Sequence, residues 1–174
     1  MMIGLTGYAQ SGKNSVANIL RFKGYEVMSF ADPIRQTLFN LNPMVGEIDL
    51  QRAIRFYGWE GAKKSFPEVR GLMQRMGTEV GRNLFGQNFW VDIAMLTAPL
   101  LDDVVFTDVR FPNEADAIAN RGGQIWRVQR RSVGPLNAHA SENSMNDYPV
   151  DLVINNDYTL ETLTKIVEDA YQTL

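Results

Sequence analysis

The 174-residue sequence contains no cysteine, which excludes a disulfide framework and any thiolate metal site. It has one histidine, His139, too few for a histidine-rich metal centre. No apolar run approaches the roughly 18 residues that a bilayer span needs. The start, MMIGLTG, has neither the basic opening nor the small-residue cleavage site of a secretory signal, so the expectation is a soluble, cytoplasmic protein. Positive charge is not in excess: Lys and Arg number 17 against 20 Asp and Glu, a net −3. That balance argues against binding to a nucleic-acid polymer. No internal repeat, low-complexity tract or Pro/Gly-rich linker divides the chain. The length, with 45% apolar residues, suits one domain with a substantial core.

What is present is an alternation of strand and helix signals. Ile3–Thr6 is a short apolar run ending at Gly7, followed by a helix pattern with Val16, Ala17, Ile19 and Leu20 on one face. Tyr25–Phe30 reads as a second strand, and DPIRQTLFNL as a helix with Asp32 as cap and Pro33 at its first position. From Asn42 to about Pro99 the signals are helical, broken at Gly58, Gly61, Pro67, Gly77 and Gly86. Val104–Asp108 has the continuous apolarity of a strand buried on both faces. A helix closed by Gly122 or Gly123 follows, then strands at QIWRV and DLVINN. The last segment, Leu160–Tyr171, is a helix with Leu163, Ile166, Val167 and Ala170 inward. The order predicts an α/β fold, a five-stranded parallel sheet between two helical layers. The boundaries it suggests are a core of 1–41 and 100–174, a helical insertion over about 42–99, and a lid over about 129–145.

The chemistry starts at the first strand–helix junction, GYAQSGKNS, which has the spacing G-x-x-x-x-G-K of a phosphate-binding loop. Such a loop turns backbone N–H groups inward, so glycines stand where side chains would block an oligophosphate. Gly7 and Gly12 fill those positions, with Ala9, Gln10 and Ser11 between them, and Lys13 reaches toward the β- and γ-phosphates. Asn14 occupies the slot that normally carries a hydroxyl; Ser15 supplies one a residue later. Mg²⁺ would then be held mainly by nucleotide phosphates, water and a carboxylate, with Ser15 and Asp108 as protein ligands. A helix cap or a partner for Arg110 is the plainer reading of Asp108.

With FADPIR, FTDVRFPNEA and HASEN also in view, the chain resembles the deoxynucleoside monophosphate kinases of bacteriophages, and more remotely dephospho-coenzyme A kinase and phosphomevalonate kinase. The resemblance runs almost end to end through five blocks in order, including RGLMQRMGTEVGRNLFGQNFWVD and DLVINND. It departs at Asn14, where an acidic residue is usual, and at Tyr158, where glycine is usual. It implies the kinase strand order 2-3-1-4-5 and ATP-dependent phosphorylation of deoxynucleoside monophosphates to diphosphates. It also implies a homodimer, acting in the host cytoplasm if the protein is phage-encoded.

Phosphoryl transfer is mostly positioning and charge neutralisation, so arginines, a carboxylate and a water-excluding lid are expected around the loop. Asp32 would act on the acceptor phosphate or the metal, simple helix capping being the alternative; Arg35, one turn on, would face the acceptor. Arg70 and Gln74 share a helix face, and Gln74 can both donate to and accept from a base edge. Trp90 would stack on a nucleobase, with packing as its plainer reading. Asp108, Arg110 and Glu114 stand just past a buried strand, where ligands bind in α/β folds; Arg110 is assigned to the acceptor phosphate or base. Arg121, Arg127, Arg130 and Arg131 form a basic cluster before a lid, with Arg127 on ATP and Arg130 and Arg131 on the transferring phosphate. Backbone contacts near Asn155 and Asn156 would frame the adenine, an ordinary strand-to-helix turn being the plainer reading. His139, Ser141 and Glu142 order the lid. The rivals are another small-molecule kinase, such as one acting on dephospho-coenzyme A, and a regulatory nucleotide hydrolase; no N/T-K-x-D guanine signature supports a GTPase.

Overall fold

The computed structural model describes residues 1–98, 103–134 and 143–173. Their elements in chain order are β1 (Met2–Thr6), α1 (Lys13–Phe22), β2 (Glu26–Met28), α2 (Asp32–Leu41), β3 (Met44–Val45), β4 (Ile48–Asp49), α3 (Leu50–Ser65) and α4 (Pro67–Arg75). A π-helical run, Met76–Phe85, continues α4 and precedes α5 (Phe89–Thr97), β5 (Val104–Phe106), α6 (Pro112–Ala119), β6 (Gln124–Gln129), β7 (Leu152–Asn155) and α7 (Leu160–Tyr171). They divide into two compact units, Met1–Phe30 with Met95–Leu174, and Ala31–Ala94.

The first unit is built on a parallel sheet of order β2-β5-β1-β6-β7. Counting only these five strands, the order is 2-3-1-4-5, as expected. β1 and β5 lie in the interior of the sheet and are buried along their whole length, which explains their unbroken apolarity. Ile3, Leu5, Val105, Trp126 and Ile154 form a core with Val16 and Leu20 of α1 and Leu163 and Val167 of α7. Ile166 and Ala170 pack against its margin, so the inward face of α7 is the expected one. A Lys23–Glu168 ion pair at 2.7 Å ties α1 to α7 at the surface.

The second unit buries Leu38, Val45, Leu50, Ala53, Ala62 and Val69 around its own centre. α2 belongs to this unit, because Leu38 packs into its cluster. Asp32 is not the helix cap. Ala31 holds that position, and Asp32, already helical, pairs with Arg35 at 2.7 Å. A carboxylate in the first turn suits the helix dipole just as well. The segment expected to be wholly helical contains an antiparallel hairpin, β3–β4, turning at Gly46 with φ 59°. Gly58 kinks α3, Pro67 opens α4 and Gly86 ends the π-helical run, whereas Gly61 and Gly77 interrupt nothing. Among the described residues no helix is long and apolar enough to cross a membrane.

Candidate active site

β1 delivers Gly7 to the carboxyl edge of the sheet, where the chain curls back into α1. Gly7 has φ 134° and Gly12 φ 108°. A Cβ on Gly7 would collide with the Val128 carbonyl oxygen, and one on Gly12 with the Asn156 amide. Both positions therefore need glycine for space as well as for conformation. Gln10 also takes a left-handed conformation, φ 66°, so the loop holds local strain in a non-glycine residue. α1 starts from Gly12 with no side-chain cap and no acid in its first turn. That is the form of a helix start that receives an anion. Lys13 Nζ donates to the Gly7 and Tyr8 carbonyls at 2.6 and 2.8 Å, which lays the ammonium back over its own loop.

Beside this loop, past the ends of β1, β5 and β6, lies a pocket of about 300 Å³. Lys13, Arg110 and Arg127 all line it, together with Tyr8, Gln129 and Asn146. Arg127 also anchors a pocket wall, donating to the Met145 and Tyr148 carbonyls at 2.6 and 2.9 Å. Tyr8 binds the same wall through Asn146, hydroxyl to Oδ1 at 3.1 Å. The basic cluster expected around it separates in three dimensions. Arg121 donates to the Met95 carbonyl, Arg131 pairs with Asp157 at 3.2 Å, and Arg130 is exposed. Residues 135–142 of the expected lid, with His139, Ser141 and Glu142, lie outside the described residues.

Two carboxylates assigned to ligands have structural partners. Asp108 accepts from Ser29 Oγ at 2.6 Å and from the Phe30 N–H at 2.8 Å. Glu114 is 5% exposed, and its Oε2 accepts the Arg110 and Phe111 N–H groups at 2.7 and 3.1 Å. It therefore closes the start of α6 and sets the backbone that carries Arg110. Asn156 turns its side chain to the loop rather than outward, donating to the Ser11 carbonyl at 2.8 Å.

In the second unit, Arg35 and Arg70 come to one region. The hydrogen bond from Lys63 is the main cause holding the Glu60 carboxyl below the usual range, and the positive charges of Arg35 and Arg70 add to it. Gln74 and Arg70 are exposed. Trp90 is buried at 8% exposure against Gly81, with its indole N–H on the Met76 carbonyl at 3.2 Å. It is a packing residue, because the missing side chain of Gly81 leaves the space the indole fills. Tyr8, Gln129 and Asn146 were not foreseen as site residues. Tyr8 carries a signal, being an aromatic inside a phosphate loop; Asn146, in a polar stretch, carries none.

The family model for deoxynucleotide monophosphate kinase matches residues 59–167. A protein of Acanthamoeba polyphaga mimivirus named for the same activity is 30% identical over 92% of this chain and 91% of its own. The deoxynucleotide monophosphate kinase of Escherichia phage RB69 is 32% identical over 58% of this chain, a match that spans 43% of that longer protein. Among solved structures, shikimate kinase from Aquifex aeolicus matches over 99% of this chain and 97% of its own, with 12% identity and a TM-score of 0.49. With a match over more than half its length and a relative aligned nearly end to end, the chain belongs to the deoxynucleotide monophosphate kinase family of transferases.

Proposed function

We propose that this kinase uses ATP as donor, with the oligophosphate in the Gly7–Ser15 loop and the acceptor phosphate in the adjoining pocket. The observation that carries this reading is the pocket itself, about 300 Å³ and lined by Lys13, Arg110 and Arg127. Three cations around one cavity of an acidic protein suit two phosphates brought together. An acceptor phosphate oxygen attacks the γ-phosphorus in line; a new P–O bond forms as the bond to the β-bridging oxygen breaks, and ADP leaves with the electron pair. The protein's part is positioning and neutralisation. Lys13 turns from the loop carbonyls to the phosphates, and the exposed Arg110 side chain, whose backbone Glu114 fixes, reaches the acceptor.

Among the described residues no group of three or more carboxylate or histidine side chains could hold a metal ion. Ser15 and Asp108 are proposed as oxygen ligands of a magnesium that arrives with ATP rather than of a resident ion. When bound, Mg²⁺ neutralises charge on the β- and γ-phosphates. Arg35, Arg70, Gln74 and Asp32 are proposed for acceptor recognition, Arg130 and Arg131 for the transferring phosphate, and Arg127 and Asn156 for the donor side. Trp90 and Glu114 are not carried forward. Cytoplasmic action as a homodimer belongs to the same proposal, and light scattering reads the latter.

A coupled assay with ATP, Mg²⁺ and each of the four deoxynucleoside monophosphates tests the reading. Turnover of at least one is expected, and Lys13→Met should fold normally yet lose about 100-fold or more in kcat. Phosphorylation of dephospho-coenzyme A with none of the four accepted would overturn it.

A further inference from the structure

The phosphate loop is held from outside by a residue 145 positions away in the chain. Asn156 Nδ2 donates to the Ser11 carbonyl at 2.8 Å, and the same amide lies against Gly12, where it leaves no room for a Cβ. Ser11 is 1% exposed, so water offers its carbonyl little alternative. A trans peptide sends its C=O and N–H in opposite directions. A Ser11 carbonyl pulled outward to Asn156 therefore turns the Gly12 N–H toward the concave side of the loop. Glycine makes that peptide easy to flip, and the Asn156 bond holds it in one orientation.

Asn156 is itself firmly placed. Its own N–H donates to the Gln129 carbonyl at 2.8 Å, Gln129 Nε2 donates to Asn155 Oδ1 at 2.6 Å, and the Arg131 N–H donates to Asp157 Oδ1 at 2.7 Å. The turn after β7 is thus fastened on three successive residues to the end of β6 and the residues that follow it. From this bracing we infer that Asn156 is a positioning residue for phosphate binding: its side chain fixes the Ser11–Gly12 peptide with the N–H aimed at the donor's phosphates. This rests on the reading of Gly7–Ser15 as the donor loop, and it gives the Asn156 side chain a task distinct from framing a base.

The test compares ATP with inorganic tripolyphosphate, which has the phosphates but no adenine, by calorimetry on the wild type, Asn156→Asp and Asn156→Ala. Asn156→Asp keeps the shape and removes the donor. Both variants should bind both ligands about tenfold or more weakly, the size expected for a misdirected hydrogen bond to a charged group. The KM for the deoxynucleoside monophosphate should stay within about twofold of wild type, a split that general loss of stability would not produce. Weaker ATP binding with unchanged tripolyphosphate binding would make Asn156 a base contact and overturn the inference. Wild-type affinity for both ligands in Asn156→Asp would overturn it as well. A wild type that binds neither ligand would instead sink the donor-loop reading on which it stands.

Discussion

Replacing Glu114 separates two jobs that one carboxylate could hold. Its Oε2 accepts two backbone N–H groups at 2.7 and 3.1 Å, and the residue is 5% exposed. Glu114→Ala leaves both donors without their partner in a place water barely reaches. A hydrogen bond to a charged group contributes about 1.5–3 kcal/mol, and two on one oxygen are not additive, so the pair costs about 2–4 kcal/mol. At about 2–4 °C per kcal/mol for a chain of this size, the midpoint of thermal unfolding should fall by about 4–16 °C. Glu114→Gln keeps an oxygen acceptor in the same place and should recover about half of that loss. The KM for the acceptor should rise in Glu114→Ala, because Arg110 loses its fixed backbone, and should be largely restored in Glu114→Gln. Thermal melts and steady-state kinetics on the two variants supply the readouts. An unchanged melting midpoint in Glu114→Ala, paired with a large and equal rise in KM in both variants, would refute the capping role and return Glu114 to direct contact with the acceptor.

Trp90 should matter to stability and not to base choice. Trp90→Ala should cost about 3–5 kcal/mol while the relative rates on the four deoxynucleoside monophosphates stay the same; a changed base preference without destabilisation would contradict the packing role. Tyr25 contributes to alkaline behaviour beside Tyr148, whose hydroxyl is also pushed up to about 12 by burial and Asp116. Burial first, then the charge of Asp103 and the nearby Tyr171, pushes the Tyr25 hydroxyl up from 10.0 to about 12. The folded state thus holds that proton more tightly than the unfolded chain, so stability intact below pH 10 should fall between about pH 10 and 12. Tyr25→Phe should flatten the fall, and an unchanged alkaline melting profile would show that Tyr25 is not its source.

Particular elements show why some of this was readable in the chain and some was not. β1, the phosphate loop and α1 are contiguous, and their signals are local: an apolar run, two glycines at fixed spacing, a lysine, then a 3.6-residue period. β5 announced itself because a strand buried on both faces has no polar alternation to confuse it. The β3–β4 hairpin escaped because two-residue strands are too short to show a period of two. The π-helical run escaped because its composition is that of an ordinary helix, and only the hydrogen-bond register distinguishes it. Residue type makes Asp32 a natural cap, yet a carboxylate one position into the helix serves the dipole equally well, and backbone angles alone separate the two.

The same division holds at the site. The sequence by itself determined the phosphate loop, the order of the sheet strands and the family, because each rests on residues near one another or on blocks in a fixed order. Tertiary structure alone decided which distant side chains serve them. Asn156 meets Ser11, Glu114 is drawn back onto the N–H groups of Arg110 and Phe111, and Arg127 lines the pocket while Arg121 and Arg131 are drawn to other partners. The physical reason is that residue type states what a side chain can bond to, whereas burial and the direction of the backbone select which partner it gets. Asn156, Glu114 and Trp90 show this: each meets a group that the fold would otherwise leave unsatisfied or fills a space it would leave empty.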